Sequence, residues 1–160
     1  MAAGMYATKS PNDVLKSTDR GQTWQRTNLN KRFYGNGTTA SIGDQRLDGE
    51  RIQVDPFNSR IVYVGTRYDG LWYTDDGAAT WNRVEAVPAG TAPVGVTNVE
   101  FDYSAGSVDG RAKVIYAGVE GQGVYMSEDG GATWRALQTD LTAGAGNSSF
   151  EVDVFREQYK

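Results

Sequence analysis

Short runs of β-branched and aromatic residues alternate with polar ones along this chain, bounded by clusters of Gly, Asn, Asp and Pro. That pattern predicts strands throughout. The middle stretch is clearest. Residues 50–55 alternate apolar and polar, and Pro56-Phe57-Asn58-Ser59 then reads as a turn. A second run (60–66), the loop Arg67-Tyr68-Asp69-Gly70, a third run (71–74), a tight turn and a fourth run (80–84) follow. Labelled from the inside outward, these are strands A, B, C and D of one four-stranded unit. The order recurs at 97–102, 113–118, 123–127 and 133–137. The first unit begins at its B strand, 4–8, and a last alternating run, 150–155, reads as an A strand with only a charged tail after it.

A short motif marks each C–D turn: Ser17-Thr18-Asp19-Arg20-Gly21-Gln22-Thr23-Trp24, Thr74-Asp75-Asp76-Gly77-Ala78-Ala79-Thr80-Trp81 and Ser127-Glu128-Asp129-Gly130-Gly131-Ala132-Thr133-Trp134. Its tryptophans lie 57 and 53 residues apart, a period that marks a repeat architecture with one supersecondary unit per repeat. The expected fold is all-β, a β-propeller of four-stranded antiparallel blades. Residues 1–160 make three blades' worth in permuted register: blade 1 (strands B–D) over 4–28, blade 2 over 50–85, blade 3 over 96–138, and an extra innermost strand at 150–155. Closed propellers have about 4–8 blades, so three leave exposed edges. Residues 150–155 are expected to complete the first blade of another copy, giving a homo-oligomer, or further blades are missing.

Within the motif the Asp carboxylate should accept backbone N–H groups across the hairpin. Gly21 and Gly131 permit positive φ, the hydroxyls of Ser17, Thr74 and Ser127 cap amides, and Trp packs between strands. Thr23, Thr80 and Thr133 complete the pattern. The cluster of Asp75, Asp76, Glu128 and Asp129 is not read as a metal site, because calcium wants six to eight oxygens from a wrapping loop. Ala78 replaces Gly in the second copy, and that turn is expected to differ slightly.

Composition narrows the chemistry. The 160 residues carry 16 basic and 20 acidic side chains, a net charge of −4, which gives no electrostatic footprint for nucleic acid or an anionic membrane. With no Cys and no His, disulfides, thiolate or imidazole metal sites and Ser-His or Cys-His nucleophiles are excluded, and no cofactor is expected. The apolar runs are strand-length, and residues 1–7 have neither the basic nor the long apolar region of a signal peptide. An exported parent protein would carry its signal upstream.

The motif is the Asp-box, which several propeller families share. The wider context is more selective: Gly4-Met5-Tyr6, Asn12 to Asp19, Gly49 to Asn58 (containing Gly-Glu-Arg and Val-Asp-Pro), Ile61 to Gly65, Gly70-Leu71-Trp72 and Ile115 to Val119. Together these resemble the N-terminal propeller of glycoside hydrolase family 74, the xyloglucan-cleaving endoglucanases. The resemblance implies a seven-bladed parent propeller, one of two that bind a xylose-decorated β-1,4-glucan between them, in an extracellular or periplasmic enzyme. It also implies inverting hydrolysis by two aspartates. Such chemistry needs a carboxylic acid on the leaving oxygen and a carboxylate on water, about 6.5–9.5 Å apart. By family order, this chain is expected to begin after the first aspartate and end before the second, so the isolated chain should lack the pair.

Asp69 is the one internal candidate, because its B–C loop matches the repeat position of the family's first-blade aspartate. The competing reading is a turn residue before Gly70. The D–A and B–C connections should share the ligand face, opposite the Asp-boxes. There Tyr34 and Tyr68 are candidates to stack on glucosyl rings, with Arg46, Asp48 and Glu50 for hydroxyls. The competing readings are that Phe33 and Tyr34 anchor their loop and that Glu50 is expected to form a structural ion pair with Arg51. The functional alternative is a noncatalytic carbohydrate-binding or protein-interaction module. A sialidase would need an arginine triad and an activated tyrosine, which these positions do not assemble.

Overall fold

The computed structural model describes residues 13–31, 51–90 and 95–138. Regular structure there is antiparallel β apart from a 3-10 turn at Tyr103–Ala105. Strands β1 (Leu15–Lys16) and β2 (Gln25–Arg26) pair as strands C and D of blade 1. Blade 2 places β3 (Ile52–Val54), β4 (Val62–Gly65), β5 (Leu71–Thr74) and β6 (Asn82–Arg83) side by side in chain order. Blade 3 begins with β7 (Val96–Phe101), which is followed by the hairpin β8 (Ser107–Val108) and β9 (Arg111–Ala112). Strands β10 (Ile115–Val119), β11 (Gly123–Ser127) and β12 (Arg135–Gln138) complete it, again as a four-stranded sheet. The expected strands at 4–8 and 150–155 lie outside the described residues.

Pleating divides each strand between two seams, because successive side chains point to opposite faces. In β4 Tyr63 turns toward blade 3 and Val64 toward blade 1. Tyr63, Leu71, Val84 and Val87 meet Val96, Val99, Phe101, Ile115, Ala117 and Val119 in the larger core. Val64 joins Val14 and Leu29 in a smaller one, flanked by Ile52, Trp72 and Trp81. The core therefore lies between blades, and the Asp-box tryptophans belong to these seams rather than packing only between strands of their own blade. Trp134 leans on the blade 2–3 core and Trp81 on the blade 1–2 core, whereas Trp24 is 46% exposed.

At the centre of the larger seam, the Tyr63 ring stacks on Tyr73 at 5.5 Å and meets Phe101 and Trp134 at 6.0 Å each. Its hydroxyl lies where a Cβ on Gly131 would be. Burial pushes the Tyr63 phenol well above its ordinary range.

The Asp-boxes form the same hydrogen-bonded turn three times. Asp19 accepts the Thr23 amide at 2.8 Å and the Thr23 hydroxyl at 2.5 Å, while Ser17 Oγ donates to the carboxylate and accepts the Gly21 amide at 2.7 Å. Asp76 with Thr80 and Thr74, and Asp129 with Thr133 and Ser127, repeat the arrangement. The second box keeps this arrangement and adds one bond, from the Ala79 amide to Asp76 at 2.9 Å. Ala78 takes φ of 68° and donates to the Thr74 hydroxyl at 2.9 Å, as Gly131 does to Ser127 at 2.8 Å. The bonds that hold the turn outweigh the modest cost of a left-handed alanine.

The β8–β9 hairpin was not anticipated. Its signal is the Asp109-Gly110 pair, both at positive φ (49° and 73°), the conformation that two-residue hairpin turns demand. Asp55, expected to close strand A, instead splits its carboxylate. One oxygen accepts Phe57 and Asn58 amides within its turn, and the other accepts the Ala112 amide at 2.7 Å, fixing the hairpin to blade 2.

Two outcomes follow from this packing. Gly131→Ala should cost about 1–3 kcal/mol by overpacking the seam, and Tyr63→Phe should recover part of it in denaturant melts. Gly131 sits at φ of 93°, so a loss that Tyr63→Phe does not recover would place the cost in the backbone. The second concerns acid. Thr23 chiefly holds Asp19 down at about 2, and the hydroxyls of Thr80 and Thr133 lower Asp76 and Asp129 likewise. Since these native values lie below the unfolded one, their stabilisation is complete above about pH 4 and fades as pH falls through the native values. Replacing Thr23, Thr80 and Thr133 together by Val should move the acid-unfolding midpoint upward by circular dichroism; an unmoved midpoint contradicts this linkage.

Candidate functional site

The B–C loop of blade 2 is closed from within. Thr66 donates its amide and hydroxyl to the Gly70 carbonyl at 3.0 and 2.7 Å, and its hydroxyl accepts the Asp69 amide at 2.9 Å. Gly70 sits at φ of 83°, where L side chains are strained, which is why glycine ends this loop. The Trp72 indole N–H donates to the Asp69 carbonyl at 3.0 Å, so the first residues of β5 hold the loop tip.

Blade 3 braces the same loop from one side. Val96 donates its amide to the Thr66 carbonyl at 3.0 Å, and the Arg51 guanidinium donates to the Val96 carbonyl. A Cβ on Gly95 would overlap the backbone of Thr66 and Arg67. Glu120, in the B–C loop of blade 3, donates its amide to the Gly95 carbonyl at 2.9 Å. Arg67 is fully buried, so the loop is rooted as well as closed.

Blade 1 braces it from the other side. Lys31, just after β2, places its ammonium 4.6 Å from the Trp72 ring centroid and 3.6 Å from the Asp69 carboxylate. Cation–π and ion-pair attraction thus act together on one lysine. The B–C and D–A connections meet at this end. At the opposite end the Asp-box amides of Gly77 and Gly130 donate to the A–B carbonyls of Arg60 and Lys113, at 2.9 and 3.0 Å.

Of the residues singled out from sequence, Tyr68 and Asp69 are adjacent, half-buried members of this loop. Tyr34, Arg46, Asp48 and Glu50 lie outside the described residues. Asp69 is both turn residue and ion-pair partner: its amide caps the loop while its carboxylate faces Lys31.

Sequence reasoning missed Lys31 and Trp72 as parts of this site. Trp72 reads as an ordinary strand residue, and no local pattern links Lys31 to a loop some forty positions later. It also missed the role of Asp13, which is buried at the start of blade 1 strand C. Asp13 accepts Val14, Asn28 and Leu29 amides at 2.9, 3.0 and 2.9 Å and the Thr27 hydroxyl at 3.2 Å. It thereby fixes the strand D exit that carries Lys31.

Among the described residues, no hydrogen-bond partner is found for the buried Asn98 Nδ2, near the start of β7, or for Glu120 Oε2.

Repeated Asp-box turns, antiparallel four-stranded blades and a loop face opposite the boxes define a β-propeller of the Asp-box class. The family model for Sortilin-Vps10 (Sortilin, neurotensin receptor 3) matches residues 12–150, and the chain belongs to that family. It is xyloglucanase-like in sequence. It is 39% identical over 155 residues to a xyloglucanase of Acetivibrio thermocellus, covering 86% of this chain and 18% of that protein. A Paenibacillus xyloglucanase is also 39% identical, at 86% and 14% coverage. The GH74 xyloglucanase structure from Xanthomonas campestris aligns with TM-score 0.65 at 34% identity, over 84% of this chain and 21% of that one. The Niastella koreensis GH74 enzyme gives 0.65 at 35% identity, over 81% and 19%. The chain thus spans less than a fifth of the curated relatives' length.

If Asp13 organises this end as its bonds indicate, Asp13→Ala should destabilise by about 1–3 kcal/mol, the cost of stranded buried donors. Asp13→Asn, which keeps one acceptor oxygen, should fall between it and wild type in denaturant melts. Equal stability of all three would remove Asp13 from this role.

Proposed function

We propose that this chain forms part of the polysaccharide-binding surface of a GH74-type xyloglucanase acting outside the cytoplasm, and that the surface is the loop end carrying Arg67 to Gly70. The observation that carries the reading is the rigid setting of Tyr68 and Asp69. Their loop is closed by Thr66 and Gly70 and braced by Lys31 and Trp72 from a neighbouring blade and strand. A preorganised loop loses little entropy on binding, and an aromatic beside a carboxylate suits a sugar's apolar face and hydroxyls. The similarity to xyloglucanases supplies the ligand class.

The chain's role on this reading is binding. The Asp69 carboxylate is engaged by Lys31, an arrangement that favours a positioning or hydroxyl-contacting group over a catalytic acid. That observation also keeps the noncatalytic module as the second reading. It predicts that the isolated chain binds xyloglucan without releasing reducing ends.

Affinity electrophoresis in xyloglucan gels tests the first reading. Tyr68→Ala should bind about tenfold more weakly, equivalent to ~1.4 kcal/mol, with thermal stability retained. Unchanged retardation would remove Tyr68 from the surface. Reducing-sugar release that Asp69→Asn abolishes would overturn the noncatalytic assignment.

A further inference from the structure

The β8–β9 hairpin is anchored at its base and free at its tip. At the base, Ala112 is fully buried in the larger core and donates its amide to Asp55 at 2.7 Å, and the Lys113 amide donates to the Gly106 carbonyl at 3.0 Å. The Arg111 guanidinium lies 3.4 Å from the Gly130 carbonyl and 4.0 Å from the Asp75 carboxylate, so β9 ties the Asp-box turns of blades 2 and 3 together. At the tip, Asp109 and Gly110 are both exposed, and a Cβ on Gly110 would meet nothing within 4 Å.

In an Asp-Gly pair the carboxyl carbon is open to attack by the following amide nitrogen, because glycine places no side chain beside that nitrogen. Four such pairs stand among the described residues, at Asp69, Asp76, Asp109 and Asp129. Three of the carboxylates are held. Asp76 is bonded to Thr74 and Thr80, and Asp129 to Ser127 and Thr133. The amides of Gly77 and Gly130, which would be the nucleophiles there, donate to the carbonyls of Arg60 and Lys113. Asp69 faces Lys31 in a loop that Thr66 closes. The Asp109 carboxylate has no hydrogen bond or ion pair to any described residue. Its hairpin is also short, with two residue pairs, Ser107 with Ala112 and Val108 with Arg111. A ladder of that length opens readily, freeing Asp109 from its turn conformation while the base stays anchored.

We propose that Asp109 is a site of spontaneous isomerisation in the folded chain. The Gly110 nitrogen attacks Cγ of the Asp109 carboxylic acid, an N–Cγ bond forms, and the amide proton leaves with the carboxyl hydroxyl as water. The product is a five-membered succinimide. Water then opens the ring. Cleavage between nitrogen and Cγ restores aspartate, whereas cleavage between nitrogen and the Asp109 main-chain carbonyl carbon leaves isoaspartate, with the chain now running through the side chain. Water is the only other reactant. The added backbone methylene does not fit a two-residue turn, so the isomer loosens the bond from Ala112 to Asp55. This inference is independent of the polysaccharide reading.

Tryptic mapping of the full chain after prolonged warm ageing, both folded and in urea, tests it, with electron-transfer fragmentation to assign isoaspartate. Cleavage places Asp109 in peptide 84–111, Asp69 and Asp76 in 68–83, and Asp129 in 114–135. In the folded chain, isoaspartate should accumulate several-fold faster in 84–111 than in the other two, and in urea the three rates should converge. Asp109→Glu, whose reaction would need a six-membered ring, should remove the signal from 84–111. In the aged wild type the Ala112 amide should exchange with deuterium faster than in fresh protein. The proposal is overturned by equal accumulation in the folded peptides, by an excess in 84–111 that persists in urea or in Asp109→Glu, or by unchanged Ala112 exchange in isomerised chains.

Discussion

A four-stranded blade has two apolar faces and cannot bury either one alone, so everything in this structure depends on the contact between blades. The pleat sends Tyr63 to one neighbour and Val64 to the other, and single strands thereby tie three blades together. At the larger seam, the absence of a side chain on Gly131 matters as much as the presence of Tyr63, because the phenol fills the space that a Cβ would take. Stability in such arrays resides mainly in nearest-neighbour interfaces.

Local turns and bonds between blades together organise the two ends of each blade. At the Asp-box end, a carboxylate, two hydroxyls and two amides form a self-contained turn that needs nothing from other blades for its hydrogen bonds. Bonds also run between blades at both ends: Lys31 reaches Asp69 and Trp72 at the loop end, and at the Asp-box end Lys16 donates to the Gly77 carbonyl and the Ala112 amide to Asp55. A surface assembled from neighbouring blades is suited to an extended ligand that crosses them.

Much of the fold was legible because strand alternation and Asp-box chemistry are local. Leu71 to Thr74 reads as a strand from its own residues, and Asp76 finds Thr74 and Thr80 within four positions. The β8–β9 hairpin was equally local and was overlooked although Asp109-Gly110 announced it. Strand ends were less legible: Asp55 and Asp102 continue an alternating pattern, yet their carboxylates bond backbone amides and end the strands. The site was legible only where its residues are neighbours in sequence, as Tyr68 and Asp69 are.

The sequence by itself determined an all-β chain of repeated blades, their order and the turns that staple them, because period-two patterning and short-range hydrogen bonds are written within a few residues. Tertiary structure alone decided that Lys31 serves the loop of the next blade, that Asp13 holds a strand exit, and that Trp81 and Trp134 enter seams while Trp24 stays exposed. Those outcomes depend on which faces meet across distances in the chain. No local pattern encodes them, because the same Trp in the same box is buried or exposed according to what packs against it.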